Sequence, residues 1–332
     1  MIAQVCHLPF YINDKRCNVI SIYETRKSLV NYLNEKFSNV KIISNYKNIL
    51  EDDNIDALIV CMPREANSLL GYEAVIAKKN TFIEKPMAYT LEDAIKIHDQ
   101  VINNNLYFGI GYMKRHDPGI IKAKSFFNET VKTKSCGSLE KIIFYNNYNK
   151  YEYNPPTHKK PEESRRHRYP TWPIFPDYIS KELRDHYSDF INIGIHNINL
   201  INFFLPSNEV SFEKTTINTR EINAFMNYNG VPVELKFAKS NQDYWSEGIE
   251  FIFSHGSINV SIPCPMNQKG VSKILLKNKK NISEIKVLES CWQFELQAKN
   301  FINTLVNDDK LFSNSFNGVE DMKLTKKIWS NV

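Results

Sequence analysis

Hydrophobic positions change their spacing partway along the chain. In the first 130 residues, short continuous apolar runs alternate with stretches of helical periodicity. Cys17–Tyr23, Lys41–Ser44, Asp56–Cys61, Thr81–Ile83 and Leu106–Ile110 read as strands, and Asp56–Cys61 has the unbroken apolar character of a parallel strand covered on both faces. Thr25–Phe37, Ala66–Lys78 and Thr90–Asn103 read as the intervening helices, the last with Thr90 as N-cap and Glu92-Asp93 in its first turn. Strands alternating with helices predict a doubly wound parallel sheet.

After about residue 135 the period shifts to two. Leu139–Tyr148 reads as a strand. From Val210 to about Lys286, apolar Val233, Leu235 and Phe237 alternate with Glu234 and Lys236, Ile249, Phe251 and Phe253 share a face, and turns such as Tyr228-Asn229-Gly230 separate the segments. This pattern predicts an antiparallel sheet. Asp189–Leu205, Trp292–Val306 and Val319–Trp329 read as helices. Residues 151–180 carry Pro, Arg, His and aromatics without periodicity. The expected division is 1–118 for the parallel-sheet domain and 119–332 for an α+β domain, with a C-terminal helix able to pack back on the first.

Composition changes this picture little. At 332 residues the chain suits two domains. Hydrophobic content of 42% and charged content of 24% are ordinary for a globular protein. No apolar run is long enough to span a membrane, and Met1–Cys6 lacks the pattern of a secretion signal, so a cytoplasmic location is the expectation. The six cysteines form no C-x-x-C pair, which argues for free thiols and against a metal centre. A net charge of +5 suits an anionic small molecule and is too small and dispersed for nucleic acid.

The candidate chemistry sits at strand ends. Tyr23-Glu24 closes the expected strand Cys17–Tyr23, at a place where an acid binds the adenosine ribose of a dinucleotide. Cys61-Met62-Pro63 closes the run that begins at Asp56, and Thr81–Pro86 gives a strand followed by Glu84-Lys85-Pro86. Together with Gly111-Tyr112-Met113-Lys114-Arg115-His116-Asp117-Pro118, these segments resemble the glucose–fructose oxidoreductase/inositol dehydrogenase/MocA family over nearly the whole chain.

That resemblance implies a Rossmann-like domain joined to a domain with a large, mainly antiparallel open sheet. It implies NAD as cofactor through Glu24, with Arg26 leaving NADP open. Lys85 takes the place of the family lysine beside the nicotinamide, where an ammonium held by a proline-stiffened turn polarises a substrate oxygen. Ala3, Pro63, Asn67 and Glu84 complete the implied cofactor site. Asp189-Phe190-Ile191-Asn192-Ile193-Gly194-Ile195-His196 resembles the family's second catalytic helix, which makes His196 the proton-transfer group and Asn192 a substrate-orienting residue. Tyr112, Arg115, Arg165, Arg168 and Trp172 are the expected substrate contacts. The arginines suit a carboxylate or phosphate, and the aromatics suit a sugar ring.

The implied activity is hydride transfer to or from a secondary alcohol or ketone of a sugar-like substrate, in a homodimer or homotetramer. Three departures qualify it. Asn192 and Asn199 stand where the family helix is acidic, and an amide cannot take up a proton. Asn67 replaces a family histidine. The opening strand and its G-x-G-x-x-G/A loop are missing, with Ala3 at the third small position; a shortened or misplaced start is the expectation, along with an opened core and weak dinucleotide binding. The alternatives are a redox-neutral NAD-using enzyme such as a glycosidase, and a non-catalytic member with a degenerate cofactor site.

Overall fold

The computed structural model describes residues 1–148, 156–163, 169–241, 244–278, 281–287, 291–330 and 332. They form two compact units: one of Met1–Gly111, Pro155–Ile174 and Gln297–Gly318, the other of Tyr112–Asn154, Phe175–Leu296 and Val319–Val332.

The first unit begins with a π-helical turn, Ala3–His7, that continues into α1 (Leu8–Asn13). Then come β1 (Ser21–Tyr23), α2 (Lys27–Lys36), β2 (Lys41–Ile43), α3 (Lys47–Leu50), β3 (Ala57–Val60), α4 (Arg64–Ile76), β4 (Asn80–Ile83), α5 (Leu91–Asn103) and β5 (Phe108–Ile110). All five strands pair in parallel, in two separate sheets: β1 with β2, and β3–β4–β5 in that order. Among the described residues no ladder joins β1 to β3. Thr90 caps α5 by accepting from the Asp93 N–H at 3.0 Å, as its sequence predicts.

The expectation of an open core is corrected by the packing. Tyr11 of α1 joins Phe82, Ala298, Phe301 and Ile302 in a buried cluster. Phe10, Val19, Ala57, Ile59 and Leu305 pack around it, so side chains flanking or lying on both sheets share one apolar centre. Burying a large apolar side chain contributes about 1.5–3 kcal/mol, which gives α1 an energetic reason to lie there as a helix.

The second unit opens with a 3-10 turn, Met113–His116, and α6 (Pro118–Thr133), followed by β6 (Leu139–Tyr148), α7 (Arg184–Asp189) and α8 (Ile195–Phe204). A π-helical turn, Phe190–Gly194, leads into α8. Then come β7 (Val210–Ile217), β8 (Glu221–Tyr228), β9 (Val231–Lys239), β10 (Ser246–Phe253), β11 (Gly256–Ser261), β12 (Lys273–Asn278) and β13 (Ile282–Ile285). The helices α9 (Gln293–Asn307) and α10 (Ser315–Trp329) close the sequence. The eight strands order as β13-β12-β11-β10-β6-β9-β8-β7, antiparallel except for β6 with β9.

One sheet face is packed. Ile142, Phe144, Val233, Leu235, Ile249, Phe251, Ile258 and Val260 are all buried, as strict alternation requires. Helix α8 is apolar around most of its circumference: Ile195, Ile198, Leu200, Ile201 and Phe204 are each at most 3% exposed. Such a helix can lie only in an interior. Its polar residues are therefore buried as well, and each needs a partner.

Candidate functional site

In the first unit the candidate residues gather at the carboxyl ends of β3 and β4. The ladder carries past β4: the Glu84 N–H donates to the Val60 carbonyl at 3.0 Å, and the Gly111 N–H donates to the Ile83 carbonyl at 2.8 Å. The chain then turns through a cis Lys85–Pro86 peptide bond. Lys85 and Glu84 are partly exposed, and Pro86 is buried.

Two buried side chains hold this turn. Asn67 of α4 accepts from the Met62 N–H at 3.3 Å and donates from Nδ2 to the Glu84 carbonyl. Its 1% exposure makes it a brace between the β3 and β4 ends. His7 Nε2 lies 2.7 Å from Glu84 Oε1. Burial disfavours the imidazolium, but Cys61 and Glu84 outweigh it and raise the His7 pKa to about 10. His7 and Glu84 are thus an ion pair with a buried imidazole and a partly buried carboxylate. Gly111 permits it: a Cβ there would come within 3.1 Å of Glu84 Oε1. Burial also pushes the neighbouring Cys6 thiol well up.

Glu24 follows β1, as the reading of a ribose-binding acid requires. Burial opposes its ionisation, yet Arg26 holds its pKa below the usual carboxylate range. Arg26 Nε and Nη2 reach its two oxygens at 2.9 and 2.6 Å, and the Thr25 and Arg26 N–H groups donate to Oε1. Ala3 is exposed in the N-terminal π-helical turn, and Pro63 is the N-cap residue of α4. Trp172 packs on Tyr72 of α4 at 5.1 Å, with Lys96 Nζ of α5 5.4 Å from its ring. Arg165 and Arg168 lie outside the described residues.

Two groups of the kinds expected at a dinucleotide site thus stand at strand ends of this unit: an acid after β1 and the braced Lys85 turn after β4. The pyrophosphate end is different. The first glycine of the chain is Gly71, so residues 1–70 offer none of the glycines that let a backbone approach phosphate.

In the second unit, Tyr112, Arg115 and His196 are buried, at 2%, 4% and 7% exposure. The Tyr112 ring stands edge-on to His196, with centroids 5.9 Å apart. Asn192 lies partly exposed in the π-helical turn, a distortion often found at functional sites. Arg115 Nε donates to Asn199 Oδ1 at 2.7 Å, and its guanidinium lies 5.2 Å from the Phe203 ring. Lys114 pairs with Glu247, which also accepts from Asn197 Nδ2 at 3.2 Å and Trp245 Nε1 at 3.2 Å. Asn146 Nδ2 donates to Asn197 Oδ1 at 3.0 Å. Arg115 is thus engaged directly by Asn199 of α8, and Lys114 is linked to Asn197 of α8 through Glu247.

Sequence reasoning passed over His7, Glu247 and Asp321. Each is an ordinary polar residue in its local pattern and acquires meaning only from a partner far along the chain. No group of three or more His, Cys, Asp or Glu among the described residues is arranged to hold a metal ion. No described helix is long and apolar enough to cross a membrane.

Comparison with known proteins gives these residues a context. Residues 1–112 match the glucose–fructose oxidoreductase/inositol dehydrogenase/MocA profile, described as an oxidoreductase family with an NAD-binding Rossmann fold. An uncharacterized oxidoreductase, YrbE, of Bacillus subtilis is 32% identical over 84 residues, 25% of each chain. A scyllo-inositol 2-dehydrogenase (NAD+) of the same organism is 28% identical over 108 residues, 32% of this chain and 30% of that one. The matched segments thus span a quarter to a third of these curated relatives. Over the whole fold, the chain superposes on KijD10, a 3-ketoreductase from Actinomadura kijaniata solved with NADP and TDP-benzene. The TM-score is 0.76 at 18% identity, covering 99% of this chain and 94% of that one. At that identity the likeness is one of fold. The similarity to the NAD-binding Rossmann-fold oxidoreductase family of glucose–fructose oxidoreductase, inositol dehydrogenase and MocA thus rests on residues 1–112.

Proposed function

We propose that the chain is a nicotinamide-dependent oxidoreductase acting on a secondary alcohol or ketone of a cyclitol or sugar-like molecule. The observation that carries this reading is the Glu84-Lys85-Pro86 turn, placed by its sequence at the end of a parallel strand and braced by Asn67 and by the His7–Glu84 pair. The inositol dehydrogenase name of one relative and the 3-ketoreductase name of a structural neighbour support the substrate class.

In this reading Glu24 binds the adenosine ribose, with Arg26 as its partner, and Pro63, Asn67 and Glu84 shape the nicotinamide end. The nicotinamide, when bound, supplies or accepts the hydride. Lys85 donates a hydrogen bond to the substrate oxygen and stabilises the negative charge that develops on it. His196 takes or gives the hydroxyl proton, and Asn192 orients the substrate without moving a proton. Tyr112, Arg115 and Trp172 are assigned to the substrate side, along with Arg165 and Arg168, and the active form is a homodimer or homotetramer.

The test is a panel of inositols and nucleotide sugars assayed with NAD and NADP by nicotinamide absorbance, with binding of each cofactor measured in parallel. Lys85→Ala is expected to retain the fold and lose roughly 10²–10⁴-fold in turnover, the usual worth of a positioned polar catalyst. Absence of cofactor binding, or full activity in Lys85→Ala, would overturn the reading. Net release of sugar without change in nicotinamide redox state would replace it with a redox-neutral reaction.

A further inference from the structure

We infer that Asp321, on the last helix, is the positioning residue of His196, fixing both the helix that carries it and the aromatic wall beside it. The inference rests on the reading of His196 as the proton-transfer group.

Asp321 is fully buried, and each of its oxygens is used. Asn199 Nδ2 donates to Oδ2 at 2.7 Å, and Asn202 Nδ2 donates to Oδ1 at 2.9 Å. The Tyr112 hydroxyl donates to the same carboxylate. Asn199 passes the contact on, because its Oδ1 accepts from Arg115 Nε at 2.7 Å and its backbone carbonyl accepts from Arg115 Nη2 at 3.2 Å. The neighbouring acid on α10, Glu320, is engaged with Ser207 and Lys323.

Charge explains why a carboxylate is needed. Arg115 is 4% exposed, and a buried guanidinium requires a counter-charge close by. Asn199 is neutral and serves as a bridge. Asp321 supplies the negative charge at the far end of that bridge. Burial pushes its carboxyl up to about 6, while Arg115 and the three donors pull it down, so the cluster holds it ionised at neutral pH by a modest margin.

Geometry explains why the effect reaches His196. Asn199 and Asn202 lie one helical turn apart on α8, so a single carboxylate bonded to both fixes the rotation of that helix about its axis. Rotation decides where His196, three residues before Asn199, presents its ring. Tyr112 is held by its hydroxyl at Asp321 and places its ring edge-on to His196 at 5.9 Å. One carboxylate therefore controls the backbone beneath the imidazole and the wall beside it. Its negative charge also favours the imidazolium.

The experiment uses the full chain and the imidazole NMR signals of His196, identified by their loss in His196→Gln. Asp321→Asn keeps the shape and removes the charge. Its expected effect is a fall of about 0.5–1 pH unit in the His196 midpoint, with a shifted ring resonance. In Asn199→Asp/Asp321→Asn the charge returns one hydrogen bond away, beside Arg115, and the midpoint recovers. Should Asp321→Asn fail to fold, Tyr112→Phe decides: it retains the ring, cuts the tie to Asp321, and shifts the His196 resonance. An unmoved His196 midpoint in folded Asp321→Asn, or an unmoved resonance in Tyr112→Phe when the first variant does not fold, overturns the inference. These readings need no substrate. Responsive His196 signals in a protein that binds neither NAD nor NADP would defeat the proposed activity and leave the positioning role intact.

Discussion

Asn67 and Glu84 meet through a single side-chain-to-backbone hydrogen bond, from the Asn67 amide to the Glu84 carbonyl, while the same side chain accepts from Met62 N–H at 3.3 Å. One amide thus satisfies two backbone groups at the ends of neighbouring strands. Only a side chain offering both a donor and an acceptor can do this.

Asn67→Leu is expected to lower stability by about 1–3 kcal/mol for the polar groups left unsatisfied. Asn67→Asp should be worse than Asn67→Leu at neutral pH, because a carboxylate would face the Glu84 carbonyl without a proton to donate. Urea unfolding checks both. An Asn67→Leu variant as stable as the parent would show that water replaces the amide.

The His7–Glu84 pair makes a prediction about pH. The His7 pKa is raised in the folded protein from about 6.5 to about 10. A raised pKa contributes stability that is complete below the unfolded value and is lost as pH rises through the folded one. Unfolding free energy should therefore fall between about pH 6.5 and 10, and His7→Asn should flatten that part of the profile. Lysines and thiols also titrate there, so the difference between the two profiles is the quantity to measure. Parallel profiles would assign the dependence elsewhere.

Much of this architecture is legible in the sequence, because burial on two faces and burial on one leave different periods. The run Ala57–Val60 specifies its parallel strand, although only Val60 of the four is fully buried, and the alternation in Val233–Phe237 specifies both a strand and the face it buries. The Asn229-Gly230 turn is legible for a steric reason: both residues have positive φ, 51° and 89°, which few other residues tolerate. The polar interior is not legible. Asn146, Asn197, Asn199 and Asp321 look like surface residues one at a time, and only their partners in distant segments make burial affordable. Tyr112 and Arg115 illustrate the difficulty. Their basic, aromatic stretch reads as a ligand-facing loop, and nothing in it announces the distant Asp321 and Asn199 that hold the Tyr112 hydroxyl and the Arg115 guanidinium. The helical Ala3–Asn13 is illegible too, since its reason to form is the cluster around Phe82 and Phe301.

Two glycines in the large sheet should respond differently to alanine. At Gly248 an added Cβ would lie 2.3 Å from the Val260 carbonyl oxygen and 2.5 Å from the Tyr145 hydroxyl. The first contact is backbone within a paired ladder, so relief requires the strands to separate, at a loss of about 1–3 kcal/mol or more. At Gly230 nothing lies within 4 Å and only the φ of 89° resists. Gly230→Ala should lose about 1–2 kcal/mol. Thermal unfolding ranks the two, and equal losses would mean that β10 and β11 have room to adjust.

Asp117 separates the worth of a helix cap from the worth of its charge. Its Oδ1 caps α6 by accepting from Gly119 N–H at 2.7 Å and Ile120 N–H at 3.4 Å, and its Oδ2 accepts from Ser272 N–H at 3.1 Å and the Ser272 hydroxyl at 2.8 Å. Burial nevertheless raises the Asp117 pKa above its ordinary value, so these donors do not fully compensate for desolvation of the charge. A carboxyl with a raised folded pKa makes its largest contribution below its unfolded pKa and loses part of it as pH rises through the folded one. Asp117→Ala removes the acceptor and should lower stability by about 1–3 kcal/mol at neutral pH. Asp117→Asn keeps an acceptor for Gly119 and discards the desolvated charge, so it should lose less than the alanine variant, and the gap between Asp117→Asn and the parent should narrow as pH rises toward neutrality. Urea titrations at pH 4, 5, 6 and 7, on the order of one unit apart so as to straddle the carboxylate range, decide it. A gap that widens with pH would mean that the ionised cap is stabilised by its donors beyond the desolvation it suffers.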